Sequence, residues 1–240
     1  MVNPLDHPEA SSLFKTLLLS LTAESDRGAL LVGVAHLDMC FQNLFEAVFA
    51  PNASKKLRKD LLRYPGPLGS LAARNDLAFA MRLIPESTYN AANALRGIRN
   101  DAAHHPEDFT LKGYESRIQG VYAAMGETLP GPGGLRSIAM DMLLEYKSGV
   151  IIDFSRDERE KDPELDIDIS TKEQVLAFIA DKPDIIQALD RELLRWELSI
   201  GIALLCSSLI LFRERVAEVL GNAALISKLS ASAVFVQSPE

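Results

Sequence analysis

From Leu198 to Phe212 the chain runs for 15 residues without a charge, with Glu197 and Arg213 at its two ends. A membrane-spanning helix needs about 20 consecutive apolar residues, and this stretch falls short while also carrying Ser199, Ser207 and Ser208. So much uncharged surface within a longer, charged helical pattern has to be covered by other helices, in a bundle core or at a dimer interface. The remainder of the 240 residues can supply that cover, since 48% of the side chains are apolar and a chain of this length buries a sizeable core. The expected class is therefore all-α, a helical bundle with a helical C-terminal extension, and no membrane role is expected.

Punctuation along the chain divides it into helices. Leu13–Leu21 is a short apolar helix, and Ser25 with Asp26 behind it is an N-cap followed by an acid in the first turn. The next helix, from about Arg27 to Phe49, is apolar nearly all round. Only Asp38, Gln42 and Glu46 form a polar stripe, the pattern of a helix central to a bundle. Pro51 breaks it, and a short basic helix from Lys55 to Arg63 leads into the loop Tyr64–Gly69. Ser70 caps a helix to Leu83. Pro85 opens another, which ends near His104-His105 because the residue before Pro106 is pushed out of helical geometry. Tyr114–Glu127 completes this half.

Leu129-Pro-Gly-Pro-Gly-Gly134 is the clearest linker, and it separates an N-terminal domain, residues 1–129, from an extension, residues 135–240. In the extension the pattern predicts a helix over 135–147, a short strand at Val150–Phe154 and a surface-lying acidic run from Asp153 to Asp168. Ser170-x-x-Glu173 matches a capping box for a helix to about Ala180, and a long helix follows from Pro183 to Leu220, stopped by Gly221-Asn222.

Charge follows the same division. Residues 1–130 hold 13 basic and 14 acidic side chains and residues 131–240 hold 12 and 19, within a net −8. Because non-specific DNA affinity comes from Lys and Arg neutralising phosphates, direct DNA binding is not expected. Cys40 and Cys206 stand far apart in apolar runs, so neither a disulfide framework nor a thiolate metal site is expected. With no basic and apolar leader at the N-terminus, the expected location is the cytoplasm. His7 and His36 are the only other histidines beside His104-His105; no metal and no cofactor is expected. Gly66-Pro-Leu-Gly-Ser70 lacks the Lys-Ser/Thr ending of a P-loop and follows no strand, which argues against nucleotide binding.

Three segments occur in fixed order: Ser25-Asp-Arg-Gly-Ala-Leu-Leu-Val-Gly-Val-Ala-His-Leu-Asp38, Gly66-Pro-Leu-Gly-Ser-Leu-Ala-Ala-Arg-Asn-Asp-Leu-Ala-Phe79 and Leu95-Arg-Gly-Ile-Arg-Asn-Asp-Ala-Ala-His-His105. Together, over roughly residues 10–128, they resemble the MtlR family, which is named for repression of a mannitol operon. The resemblance implies an all-helical bundle that self-associates, with a homodimer expected, and that has no DNA-reading motif of its own; repression is then expected to act through another protein or an RNA. No helix-turn-helix or zinc spacing is found in this chain either.

Within the third segment, Arg99-Asn100-x-x-x-His104 resembles the Arg-x4–6-His motif of HEPN-type domains, many of which are metal-independent endoribonucleases. The resemblance implies two motifs facing each other across a dimer. Arg99 would steady the phosphate, His104 would move a proton to or from the 2′-hydroxyl or leaving oxygen, and Asn100 would give polar support. RNA is then the partner, with Lys55, Lys56, Lys59, Arg63 and Arg96 as phosphate contacts.

On a helical wheel Asn93, Arg96, Asn100 and His104 share one stripe opposite Leu95, Ile98 and Ala102, whereas Arg99 lies roughly 140° from His104. The structural alternatives stand beside these roles. Arg99 is equally an ion-pair partner, His104 a helix C-terminal cap and the basic helix a solvated face. Arg27, Asp38, Arg74 and Asp76 read as buried ion pairs or interface contacts, His36 as a satisfied core histidine and Trp196 as core or dimer contact. The acidic segment 153–168 is expected to cover the basic helix near Lys55.

Overall fold

The computed structural model describes residues 4–104, 109–123, 134–162, 169–180 and 182–234. Among these the fold is all-α. A 3-10 turn at Pro4–Asp6 precedes α1 (Pro8–Thr22), α2 (Asp26–Val48), α3 (Lys55–Leu62), α4 (Leu71–Ala80), α5 (Glu86–His104), α6 (Glu115–Ala123), α7 (Gly134–Lys161), α8 (Lys172–Ala180) and α9 (Pro183–Val234). His105, Pro106, Glu127, most of the Leu129–Gly134 linker and the end of the acidic run at 163–168 lie outside the described residues.

Three helices make the centre. Arg195 on α9 meets Asp26 on α2 at 3.5 Å. A Cβ on Gly33 of α2 would lie 2.7 Å from Ile202 Cδ1 of α9. Both steps, 26 to 33 and 195 to 202, run in the same direction, so α2 and α9 lie side by side and parallel over this stretch. Helix α1 lies across both in the opposite direction: Ser207 Oγ donates to the Ala10 carbonyl at 3.0 Å and Arg213 pairs with Glu9 at 2.7 Å.

That arrangement accounts for the uncharged stretch. Leu198, Ile200, Ile202, Ala203, Leu205, Cys206 and Leu209 are buried against α1 and α2 in a core that also takes in Phe14, Leu21, Leu30, Leu37, Phe41 and Phe45. Two of the serines are satisfied, Ser207 on α1 and Ser208 on its own Leu204 carbonyl at 2.9 Å. Ser199 Oγ is buried without a hydrogen-bond partner. By length and composition α2 and α9 would each be apolar enough to cross a membrane, although the uncharged run alone is too short. In this fold 83% of the apolar window of α9 and 50% of that of α2 are buried inside the protein. The C-terminal extension thus shares its core with the N-terminal helices.

Ser25 and Ser70 cap as expected, accepting from the Gly28 and Ala73 backbone N–H groups at 3.1 and 3.2 Å. Helix α4 stops at Ala80, three residues earlier than the sequence pattern suggests. Arg82 N–H bonds the Phe79 carbonyl and Leu83 N–H the Ala78 carbonyl, with Arg82 at φ 59°; this pair of bonds is a Schellman stop, with arginine where glycine is usual.

Three further expectations are corrected. Val150–Phe154 is not a strand but lies inside α7. Its β-branched residues cost a helix only about 0.5 kcal/mol each, and the ion pairs Asp153–Arg156 (2.8 Å) and Glu158–Lys161 (2.7 Å) brace the following turns. Gly221-Asn222 does not stop α9, which continues to Val234; Ala223 and Ala224, strong helix formers, follow the glycine. The cap of α8 is Thr171 rather than Ser170. Gln174 N–H donates to Thr171 Oγ1 at 3.3 Å, while Gln174 Oε1 accepts from the backbone N–H groups of Thr171 and Ser170 at 3.0 and 2.9 Å. The capping box is Thr171-x-x-Gln174, one residue on.

Candidate functional site

Helix α5 runs unbroken to His104. Its apolar face, Leu95, Ile98 and Ala102, is buried against α2 and α6, and this leaves Arg99, Asn100 and His104 exposed. Arg99 Nη1 donates to Asn100 Oδ1 at 3.3 Å. Arg96, on the same stripe, is half-buried with its Nε lacking a hydrogen-bond partner. Alongside, Asp101 accepts from Arg117 of α6 at 2.6 Å, and the Arg117 guanidinium lies 5.4 Å from the centre of the Tyr114 ring. On a continuous helix, Arg99 and His104 point roughly 140° apart. One chain therefore brings Arg99 to Asn100 but does not converge Arg99 with His104, and none of the three lines the cavities described below.

The basic helix α3 keeps Lys55, Lys56, Lys59 and Arg63 exposed. Arg58 turns inward instead, donating to Glu46 at 3.3 Å and to the Ala53 and Ala50 carbonyls at 3.2 and 3.1 Å; it closes the α2–α3 connection. The loop after α3 is too tight for side chains at Gly66 and Gly69, where a Cβ at the latter would lie 2.8 Å from Tyr64 Cα. That tightness, rather than a phosphate, explains the glycines, and it leaves Tyr64 87% exposed. The acids of α7 at 153 and 158 pair within their own helix, and α7 packs on α8 and α9.

The other motif residues have structural roles. Asp38 of the first segment and Arg74 of the second are partners: Arg74 is buried, its Nη1 bonds Asp38 Oδ1, and its Nη2 donates to the Leu62 carbonyl at 2.9 Å. Asp76 is exposed, contrary to expectation. The buried polar residue beside Arg74 is Asn75, whose Nδ2 donates to the Tyr89 carbonyl at 3.0 Å. Asp26 Oδ2 accepts from the Leu111 N–H at 3.0 Å besides meeting Arg195. Arg27 is half-buried. His36 is half-buried too, but its Nδ1 has no hydrogen-bond partner, so it is not the satisfied core histidine expected. Trp196 is core, its ring 5.7 Å from that of Tyr146.

Cavities among the described residues include the following three. The first, about 410 Å³, lies among α1, α2 and α9 and is lined by Glu9, Thr16, Cys40, Asn43 and Arg213 among others. A second, about 520 Å³, is bounded by Asp26, Leu111, Asp190, Arg191 and Arg195. The third, about 530 Å³, has apolar walls from Ile84, Phe212, Val216 and Val219, with Arg82 and Arg215 at its margin. Among the described residues no three His, Cys, Asp or Glu side chains converge as metal ligands would.

Two features escaped the sequence reading. Tyr146, Val150 and Phe154 follow one another at four-residue steps along α7, exposed by 50, 49 and 61%. The strand pattern hid them; the four-residue spacing was the available signal. Cys40 and Cys206, 166 positions apart, meet in the α2–α9 seam, and nothing in the sequence pairs them.

No family model matches the chain, and no curated protein matches it. Among solved structures it is similar to a chain in the X-ray structure of the MtlR–HPr complex from Escherichia coli. The two share 17% identity at a TM-score of 0.47, over 82% of this chain and 98% of that one.

Proposed function

We propose that this protein is a non-catalytic cytoplasmic regulator of the MtlR type that works by binding another protein. The observation that carries the reading is the α7 stripe. Val150 and Phe154 expose apolar and aromatic surface on one side of α7, and Tyr146, half-exposed, continues the stripe with its ring against Trp196 of α9. Contiguous exposed aromatics at helical spacing are the usual anchors of a helix-face interface. The exposed acids Asp153 and Asp157 lie on the same face, so the partner this surface fits has an apolar centre and a basic rim.

The same reading makes the protein a homodimer through the outer part of α9, where Val219 and Leu220 stand exposed beyond the packed core. Light scattering that finds a monomer removes that part.

The experiment has two arms. HPr, the protein held in the similar solved structure, is titrated against wild type and against Tyr146→Ser/Phe154→Ser, with binding expected only for wild type. Single-stranded RNA is incubated with the protein in EDTA, and no cleavage is expected. Cleavage by wild type that is lost in folded Arg99→Ala and His104→Ala would replace this reading with a metal-independent ribonuclease assembled across the dimer.

A further inference from the structure

The seam between α2 and α9 holds the chain's only two thiols. The helices approach closely at Gly33, where Ile202 occupies the space a side chain would need. One heptad further along α2 is Cys40, and Cys206 lies one turn beyond Ile202 on α9. Both are buried and both are free thiols. They stand close enough across the seam for each thiol to alter the acidity of the other.

Their surroundings differ. Cys206 is fully enclosed. Cys40, 7% exposed, lines the cavity of about 410 Å³ between α1, α2 and α9, together with Arg213, Glu9 and Asn43. A small solute that enters the cavity reaches one sulfur and not the other.

We propose that Cys40 is the entry point for hydrogen peroxide and that Cys40 and Cys206 close into a reversible disulfide across the α2–α9 seam. The Cys40 thiolate attacks the near oxygen of the peroxide; the O–O bond breaks, an S–O bond forms, and the departing hydroxide takes a proton and leaves as water. Cys40 is now a sulfenic acid. Cys206 sulfur attacks it, the S–S bond forms, the S–O bond breaks, and the thiol proton of Cys206 leaves with the hydroxyl as a second water. The two thiols together are oxidised by two electrons and the peroxide is reduced by two.

The electrostatics support this order. The hydrogen bond from Cys206, with a smaller contribution from the Arg213 charge, holds the Cys40 thiol below its ordinary range against the opposing effect of burial. The Cys40 partner and full burial push Cys206 well up. Attacking and resolving thiols are thereby distinguished. A thiol-based reductant reverses the reaction, so the bond would respond to the peroxide level where the protein works.

The test uses the full chain, reduced and freed of reductant, then treated with hydrogen peroxide under native conditions. Wild type is expected to lose two hydrogens in intact mass without dimerising, and peptide mapping is expected to find Cys40 joined to Cys206. Cys206→Ser is expected to accumulate a dimedone adduct on Cys40, whereas Cys40→Ser is expected to leave Cys206 reduced. The wild-type measurement stands without either variant, should one fail to fold. Wild type that keeps both thiols, or links them between chains, overturns the proposal. So does equal reactivity of Cys206 in folded Cys40→Ser.

Discussion

Arg74 and Arg99 sit in two of the three segments that stand out in the sequence, and the fold treats them in opposite ways. Arg74 is buried between α2 and α4, with one nitrogen on Asp38 and another on the Leu62 carbonyl. Arg99 stands in solvent on α5 and touches only its neighbour Asn100 among the hydrogen bonds above. A buried guanidinium is tolerated only with fixed partners, because removing it from water costs several kcal/mol. An exposed one incurs no such cost and is free to meet something else. The polar residues of these segments therefore divide into those that hold the helices together and those available to a partner, and burial, not residue type, draws the line.

The largest effect expected from that division is at Asp38. Asp38→Ala leaves Arg74 charged, enclosed and short of a counter-ion. Since Asp38 itself is half-exposed, the loss falls between the surface and buried cases, at about 2–4 kcal/mol in urea unfolding. A loss under about 0.5 kcal/mol, the ordinary surface value, would place Arg74 in the same class as Arg99 and erase the distinction.

A smaller effect, readable through pH, comes from the inverse pair. Here the acid is buried, Glu197, and the base is half-exposed, Arg136, whose Nη1 donates to Glu197 Oε1 at 2.8 Å. Burial raises the Glu197 pKa above its ordinary 4.5 against the lowering effect of Arg136. For an acid with a raised pKa the native state holds the proton more tightly than the unfolded one. Its stabilising contribution is thus complete below 4.5 and is lost as pH climbs through the folded-state value. Glu197→Gln keeps an acceptor for Arg136 and removes the ionisation. The variant is expected to gain on wild type as pH rises from acid to neutral, followed by Tm across that range. A constant or shrinking gap would mean that the attraction of Arg136, not burial, governs this carboxylate.

How much of this could be read from the chain depends on whether the governing contact was local. Ser25, Ser70 and the near-continuous apolar surface of α2 fix helices through neighbours three or four residues away, and those elements are where the sequence places them. Local competition is where boundaries shift: Thr171-x-x-Gln174 overlaps Ser170-x-x-Glu173, and only the backbone decides which serves as the cap. Val150–Phe154 has strand composition but lies inside a helix packed on α9, and Gly221 is carried along inside α9. Pairings at long range were not legible at all. Arg74 and Asp38 could each be suspected of an ion pair, yet that they pair with each other follows from the α2–α4 contact, as the approach of Cys40 and Cys206 follows from the packing of α9 on α2. At the candidate site the sequence places Arg99, Asn100 and His104 on one helix, as found, but one chain brings Arg99 to Asn100 and not to His104.

The smallest expected effect is accordingly on stability at that site. Arg99→Ala and His104→Ala remove exposed side chains from the outer face of α5 and are expected to change unfolding free energy by less than about 0.5 kcal/mol at neutral pH. A loss near 1 kcal/mol or more would mean that these side chains are held by contacts beyond a single chain. If that loss also faded on dilution, the contacts would lie in a dimer, because stability that depends on association falls with protomer concentration. That outcome would move Arg99 from the exposed class to the buried one and make the partner subunit, rather than solvent, the surroundings in which its chemistry has to be judged.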